Sequence, residues 1–282
     1  MAAKNPAVTI QTARPGEAVP PPGDADLAHA RATDPDGAFV ARDAEGRVMG
    51  TAWAAVREDT LLLLALDVGA AHRGKGVGRS LLAAVRSYGA ARGALSLEVV
   101  APDEPSALAF FFGAGLSLRA LVLGMEAAAA GDLAARGGPA RGAPLAPVGP
   151  GAPLSGWIAA LDRETRGFAR PREWGRRAAA GHVVSLERGG RPVALGAWDD
   201  GTRATALGPI AAKTPEAAAD FLPMLAARSP GKRLSLALPS EARMLLDAAG
   251  ALGFRAVSIR ALLTNRRRGD LRRYAGGGGR FF

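Results

Sequence analysis

The stretch Arg73-Gly74-Lys75-Gly76-Val77-Gly78-Arg79 is the most informative part of this sequence of 282 residues. It follows an apolar run, Leu61–Val68, that predicts a buried strand. Beyond it, Leu81, Leu82 and Val85 recur at the spacing of one helical face. The order is therefore strand, glycine loop and helix, which places free backbone N–H groups and the positive end of the helix dipole at the loop. With the basic side chains of the stretch, this order predicts a site for a phosphate-bearing ligand.

The spacing of the glycines separates the known phosphate-binding loops. A Walker A loop ends in Lys-Ser or Lys-Thr, and a Rossmann fingerprint would need a glycine in place of Arg79. The pattern that fits is Arg-x-x-Gly-x-Gly, formed by Arg73, Gly76 and Gly78. It resembles the pyrophosphate loop of the GNAT superfamily of N-acetyltransferases, and Val68 matches the valine that usually ends the fourth strand of that family. The alternative interpretation is a glycine-rich turn with no ligand.

The resemblance implies an acetyl-CoA site in the first half of the chain. The residues that it implies for the cofactor are the end of the strand, the loop and the first turn of the helix. They are Asp67, Val68, Arg73, Gly74, Lys75, Gly76, Val77, Gly78, Arg79 and Ser80. In the family, a backbone N–H near the end of this strand commonly holds the thioester carbonyl.

Two groups that often perform the chemistry in this family are missing. The tyrosine that protonates the leaving thiolate would stand four residues before Gly115, where this chain has Phe111. The glutamate that often lies early on the fourth strand is replaced by leucines, 61–64. Glu98, on the next predicted strand, is therefore our candidate catalytic base, with Asp67 as the other available carboxylate. The alternative for Glu98 is a structural carboxylate at a sheet surface or in an ion pair.

The second half of the sequence repeats the first. Leu234-Ser235-Leu236 echoes Leu95-Ser96-Leu97, and Gly253-Phe254 echoes Gly115-Leu116. We therefore expect an α/β fold of two tandem GNAT-like domains, each a mixed, mostly antiparallel sheet flanked by helices. The second copy has Pro209 in place of the glycine loop, so we expect one acetyl-CoA per chain.

The composition of four segments predicts the domain limits. We expect a GNAT acetyltransferase domain with the acetyl-CoA site over 1–127, an Ala/Gly/Pro linker over 128–152 and a second GNAT-like domain over 153–265. A basic Gly/Arg tail, 266–282, carries a net charge of +5 and is expected to be solvated. Thr214 and Ser240 are the predicted N-caps of two helices in the second domain.

Composition also limits the chemistry. The chain has no cysteine and three scattered histidines, so no metal site is expected. No apolar run could span a bilayer and the N-terminus lacks a signal peptide, so we expect a cytoplasmic protein without membrane contact. Half of the net charge of +10 lies in the tail, which argues against nucleic acid as a partner.

The expected activity is transfer of an acetyl group from acetyl-CoA to a primary amine, on a small molecule or a peptide. A homodimer stays open as an assembly state. In the second half, Trp157 and Trp174 could line an acceptor pocket. A basic group near them could recognise an anionic acceptor or only coat a solvated helix: Arg166, Arg170, Arg172, Arg176 and Arg177. Two other functions stay open: an acyl-CoA-binding module with little turnover, and a basic protein that binds nucleic acid through its tail.

Overall fold

A computed structural model gives the fold and describes residues 8–14, 17, 25–128, 145–149, 156–201, 204–228 and 233–277. These residues form two compact units. Unit 1 contains the described residues up to Val100 together with Thr264–Arg266. Unit 2 contains the described residues of Ala101–Leu263 and those from Arg267 to Gly277. The predicted α/β class with mixed, mostly antiparallel sheets is confirmed.

Unit 1 is built on five strands in the order β1-β2-β3-β4-β5. The pairs are antiparallel except β4–β5, which is parallel. The elements are β1 (Thr9–Thr12), α1 (Ala25–Thr33), β2 (Ala38–Arg42), β3 (Val48–Arg57), β4 (Thr60–Val68), α2 (Val77–Ala91) and β5 (Ser96–Pro102).

Helix α2 packs its apolar face against this sheet. Leu81, Leu82 and Val85 are buried, as their spacing predicts, and each contributes about 1.5–3 kcal/mol by leaving water. Gly89 allows close contact, because a Cβ there would lie 2.6 Å from a methyl carbon of Leu61. The helix ends at Ala91, and Gly93 just beyond its C-cap has a φ of +74°, which suits a residue without a side chain.

A buried polar cluster ties α1, β3 and α2 together. The Arg57 guanidinium donates to Asp34 Oδ2 at 2.7 Å, and the Tyr88 hydroxyl donates to Asp34 Oδ1 at 3.2 Å. Burial raises the pKa of Tyr88 to about 12, and the negative charge of Asp34 adds to this shift. The proton that Tyr88 donates is therefore held firmly at neutral pH.

Unit 2 has its strands in the order β12-β6-β11-β10-β9-β8-β7, with β13 paired to β10. The β10–β11 pair is parallel, and β6–β11, β9–β10, β8–β9, β7–β8 and β10–β13 are antiparallel. The strands are β6 (Ser117–Ala127), β7 (Leu145–Pro147), β8 (Val183–Arg188), β9 (Arg191–Asp200), β10 (Thr205–Ala212), β11 (Leu234–Pro239), β12 (Arg255–Thr264) and β13 (Tyr274–Ala275). The helices are α3 (Pro105–Gly113), α4 (Trp157–Arg166), α5 (Pro171–Ala179), α6 (Pro215–Ala226) and α7 (Arg243–Ala251).

Helices cover both faces of the unit 2 sheet. Phe221 of α6 and Leu245 of α7 lie in one core cluster with Ala194 of β9. Trp174 of α5 lies in a second cluster with Leu195, the next residue of β9. Since consecutive strand residues face opposite sides, α6–α7 and α4–α5 cover opposite faces.

The predicted linker contains a strand. Leu145–Pro147 pairs antiparallel with Val184–Leu186, and Val148 N donates to Val183 O at 3.0 Å. The predicted linker over 128–152 is therefore strand at this point, because a short edge strand tolerates proline where no ladder hydrogen bond is needed. The remaining linker residues, 129–144 and 150–152, lie outside the described residues.

The compact units do not follow the predicted domain limits of 1–127 and 153–265. Strand β6, expected to close the first domain, pairs in unit 2 with β11, where Ala127 lies opposite Leu234. In unit 1 the backbone of Leu97 instead exchanges hydrogen bonds with Asn265, from Leu97 N to Asn265 Oδ1 at 2.8 Å and from Asn265 N to Leu97 O at 3.3 Å. The last strand of the first copy, β6, therefore lies in unit 2, while Asn265 at the end of the second copy lies in unit 1. The compact units thus do not coincide with the two sequence copies.

The predicted solvated tail is packed at Leu271 and over Tyr274–Gly276, while Arg266, Arg267 and Arg272 are exposed. A 3₁₀ turn over Leu271–Arg273 leads into β13, and Tyr274 has no exposed surface. The Arg273 guanidinium donates to Lys213 O at 2.7 Å. The prediction of a solvated tail is wrong here because it used charge alone, while Leu271 and Tyr274 supply buried area. Residues 278–282 lie outside the described part of the chain.

One of the two predicted N-caps is correct. The Thr214 hydroxyl accepts from Ala217 N at 3.2 Å and caps α6. Helix α7 begins at Arg243 with Ala242 as its N-cap, so the prediction for Ser240 is wrong. The Ser240 hydroxyl instead accepts from Leu121 N of β6 at 3.2 Å.

Candidate functional site

The loop between β4 and α2 has the backbone that its glycines predict. A 3₁₀ turn over Ala70–His72 is followed by Gly74 and Gly76, whose φ angles are +75° and +84°. A Cβ on Gly74 would meet no atom within 4 Å, so the glycine is required by its φ angle and not by crowding. The loop therefore presents bare backbone toward open space.

The loop gathers hydrogen-bond donors and positive charge. The first hydrogen bond of α2 runs from Ser80 N to Gly76 O at 3.0 Å, which leaves the N–H groups of 77–79 outside the helical ladder. The Arg73 side chain donates from Nε to Val68 O at 3.2 Å, which holds it across the loop. Lys75 and Arg79 are exposed. These groups can hold a diphosphate, because N–H groups at a helix N-terminus and cations both stabilise negative charge.

The pairing between β4 and β5 stops beside this loop, and we call the unpaired stretch beyond the last pair the gap. The last parallel pair is Leu63 with Val99, although β4 continues to Val68. A bulge lies at this point, since Trp53 of β3 pairs with Ala65 while Ala54 pairs with Leu63, leaving Leu64 as the extra residue. A bulge bends its strand, and this one accompanies the separation of β4 from β5.

Glu98 lies on β5 one residue before the last paired residue, Val99, and is paired with Leu62 of β4. The neighbouring Leu61 lies against Gly89 of α2. Because successive residues of a strand face opposite sides, Leu62 and Glu98 face away from α2. Glu98 is 8% exposed, so it is a buried carboxylate beside the gap. The structure thus brings Glu98 and the loop into one unit.

The other predicted site residues are distributed unevenly. Asp67 is exposed and pairs through its backbone with Thr51, while Val77 is buried under the loop. Phe111 belongs to α3 of unit 2 and is buried, with its ring edge-on to Phe110. Within the described ranges, no group of three or more metal-binding side chains occurs, and no helix is long and apolar enough to cross a membrane.

The basic and aromatic group predicted to meet an acceptor is largely internal. Arg170 donates from Nη2 to Asp162 Oδ1 at 2.6 Å and from Nη1 to the Tyr274 hydroxyl at 2.9 Å. Burial alone would lower the pKa of Arg170, but the Asp162 carboxylate outweighs it and raises the pKa. Arg166, Arg177 and Trp174 are also buried. The interpretation of a solvated helix is therefore wrong for these residues. Arg166 and Arg170 contact Tyr274 of the C-terminal segment, and Arg177 pairs with Asp199 of β9.

Unit 2 lacks the loop for a physical reason that the sequence only partly indicated. Strand β10 continues to Ala212, so 207–212 is strand and not loop. Only Lys213 and Thr214 connect β10 to α6, whereas 69–76 connect β4 to α2. The Thr214 side chain also takes up Ala217 N, a donor that a phosphate would need. This connection is too short to surround a diphosphate.

Two family models match the sequence. The Acetyltransferase (GNAT) family matches residues 7–114, and an Acetyltransferase (GNAT) domain matches residues 158–270. Together the two matches cover more than half of the chain. The chain therefore belongs to the GNAT acetyltransferase superfamily and carries two GNAT domains in tandem.

Solved structures support the same fold. A GCN5-related N-acetyltransferase from Anabaena variabilis has a TM-score of 0.62 at 12% identity, with 92% of this chain and 72% of that chain covered. One from Sphaerobacter thermophilus has a TM-score of 0.53 at 15% identity, with 94% and 98% covered. A tandem GNAT protein from the clavulanic acid biosynthesis pathway has a TM-score of 0.52 at 18% identity, with 80% and 81% covered. Among curated proteins, no match to this chain was found.

Proposed function

We propose that this protein is an acetyl-CoA-dependent N-acetyltransferase that acetylates a primary amine, with one cofactor site in unit 1. The observation that carries the proposal is the loop 69–76 beside the gap between β4 and β5. A ligand anchored by its phosphates at the loop can extend along this gap. Acetyl-CoA has this form: a diphosphate followed by a long, narrow arm that ends in a thioester.

The loop residues fit such a cofactor. The N–H groups of 77–79 would bind the diphosphate, with Lys75 and Arg79 offsetting its charge. Gly74 and Gly76 would let the phosphates approach the backbone. The hydrogen bond from Arg73 to Val68 O would keep the loop folded over the end of β4.

For acyl transfer, residues of this chain must position the amine and accept its proton. When bound, acetyl-CoA supplies the acetyl group as a thioester. Glu98 would accept the proton of the amine, directly or through one water, because it is the buried carboxylate beside the gap. Phe111 offers no acidic proton, so the departing thiol would take its proton from the amine or from water. Positioning the amine beside the thioester carbonyl supplies further rate acceleration.

A turnover experiment tests the proposal. Release of the CoA thiol is followed with acetyl-CoA and a panel of small and peptide primary amines. We expect release that depends on one class of amine, and its loss in the Gly76→Val variant. The matched control is Gly46→Val, since Gly46 has a φ of +80° and no atom within 4 Å of a Cβ. It carries the same backbone strain away from the loop.

A binding module is the second candidate function. It is favoured by the missing proton donor at Phe111, which is a buried ring in unit 2. Acetyl-CoA binding with no amine-dependent thiol release across the panel would support it over the transferase. The nucleic-acid alternative is weakened, because Arg273 and the following strand β13 are packed into unit 2.

A further inference from the structure

The two units share the same strand geometry. In unit 1 the parallel pairs end at Leu63 and Val99, next to the bulge in β4. In unit 2 the pairs between β10 and β11 end at Ala206 and Ser235, and the register of β10 shifts between Leu207 and Ile210. Each unit therefore has two parallel strands that separate at a bulge. We call the space beyond this point in unit 2 the β10–β11 slot.

The β10–β11 slot holds the C-terminal segment of the chain. Tyr274 and Ala275 pair antiparallel with Ala211 and Ile210 of β10. On the other side, Gly276 N donates to Ala237 O of β11 at 2.8 Å, and Ala237 N donates to Gly276 O at 3.0 Å. The segment thus bonds to both strands and lies between them.

Glycines on both sides allow the close approach. Gly208 has a φ of +117°, and a Cβ there would lie 2.7 Å from the backbone of Gly276. A Cβ on Gly277 would lie 2.7 Å from Gly208 O. Real Cβ atoms essentially never make contacts under 3.0 Å, so a side chain at either position must shift the backbones of the segment and β10 apart. Tyr274 secures the segment from its other end through Arg170.

We propose that the segment Tyr274–Gly277 takes, in unit 2, the position that the acyl arm of acetyl-CoA takes in unit 1. The β10–β11 slot is then a second site for an acyl-pantetheine arm, closed by the chain itself. This inference rests on the proposed function for the position of the arm in unit 1. An arm of amide groups can bond to two separated strands in the same way as a peptide segment, which is how extended peptides add to sheets.

Two separate features would keep acetyl-CoA out of unit 2: the short connection between β10 and α6, and the segment in the slot. The connection of Lys213 and Thr214 cannot surround a diphosphate, and this stays true when the segment leaves. The slot itself is occupied by the segment, which bonds to both strands. Displacing the segment should therefore admit S-acetylpantetheine, which has the acyl arm without phosphates.

The experiment uses the full chain with the substitution Gly277→Ala, and Gly208→Ala as a second variant that places the clash on the other partner. The control is Gly250→Ala, because a Cβ on Gly250 would meet no atom within 4 Å. Backbone amide resonances of Ala237 and Ile210 report on the slot, and that of Gly78 reports on unit 1. S-acetylpantetheine is titrated into each variant.

We expect saturable shifts of the Ala237 and Ile210 resonances in at least one displaced variant, and none in the control. We also expect the Ala237 amide to exchange with deuterium at least 100-fold faster in that variant. No ligand-dependent shift of these resonances in either variant would overturn the proposal. The Gly78 resonance is read with acetyl-CoA in the unmodified chain, so a failure of the proposed function is seen separately from a failure of this inference.

Discussion

The Tyr274→Phe substitution tests whether the C-terminal segment is part of unit 2. The Tyr274 side chain has no exposed surface, and its hydroxyl accepts from Arg170 Nη1 at 2.9 Å. Phenylalanine fills nearly the same volume but cannot accept this hydrogen bond. The substitution therefore removes one acceptor from a buried cation and leaves the packing almost unchanged.

The size of the effect follows from that lost acceptor. Leaving a buried donor without its partner costs about 1–3 kcal/mol, with charged groups at the upper end. Arg170 keeps its hydrogen bonds to Asp162, so we expect a loss of about 2 kcal/mol in the free energy of unfolding of unit 2. A loss of this size lowers the midpoint of thermal unfolding by about 4–8 °C for a unit of this length.

Urea denaturation followed by tryptophan fluorescence measures the effect, since Trp157, Trp174 and Trp198 lie in unit 2. The matched control is Arg272→Ala, whose exposed side chain pairs with the neighbouring Asp270. We expect no measurable change for the control. Equal stability of Tyr274→Phe and the unmodified chain would refute the buried placement of Tyr274. The segment would then be exposed to solvent, as its charge predicts.

The remaining predictions concern unit 1 and the acyl transfer. The pKa of Tyr88 is about 12 in the folded protein, against about 10 for a tyrosine in an unfolded chain, so the folded state keeps this stabilisation below pH 10 and loses about 3 kcal/mol as the pH rises to 12. Tyr88→Phe should reduce this fall in the free energy of unfolding, measured by urea denaturation at a series of pH values. The same pH dependence in the variant and the unmodified chain would contradict the prediction. Glu98→Gln should lower kcat about 10²–10⁴-fold without weakening acetyl-CoA binding, while Asp67→Asn should leave kcat unchanged; equal kcat for both variants would exclude Glu98 as the base. Phe111→Tyr should leave turnover unchanged or raise it, and a large fall with binding intact would show that the alignment placing a proton donor there is incorrect.

The sequence predicted the elements of unit 1 well because the local signals agree. The apolar spacing of α2, the glycines of the loop and the leucine run of β4 each depend on near neighbours in the chain. The same is true of the Thr214 cap. These features need no knowledge of distant contacts, and the structure has them at nearly the predicted residues.

Features that depend on distant pairing could not be read from the sequence. The burial of Tyr274 depends on Arg170, which is 104 residues away. Leu145–Pro147 forms a strand only because Val184–Leu186 provides an edge. The pairing of Leu97 with Asn265 joins residues 168 apart. Charge and composition describe each segment alone, and for the C-terminal arginines they suggested solvent where the fold supplies partners.

The position of Glu98 lies between these two cases. Strand alternation predicts that it faces away from Leu97 and Val99, and this follows from the sequence alone. Its burial and its place beside the gap depend on the bulge at Leu64 and on the parallel pairing with Leu62. The sequence therefore offered Glu98 as a candidate, and the structure adds the location that makes it testable.

The most direct measurement of the central claim is a calorimetric titration of the full chain with acetyl-CoA. We predict one site per chain, lost in Gly76→Val and retained in Gly46→Val. Both glycines have a positive φ, but Gly76 is the N-cap of α2 at the loop. Circular dichroism of each variant verifies the fold. Unchanged acetyl-CoA affinity in folded Gly76→Val, or two equivalent sites in the unmodified chain, would contradict a single cofactor site at the β4–α2 loop.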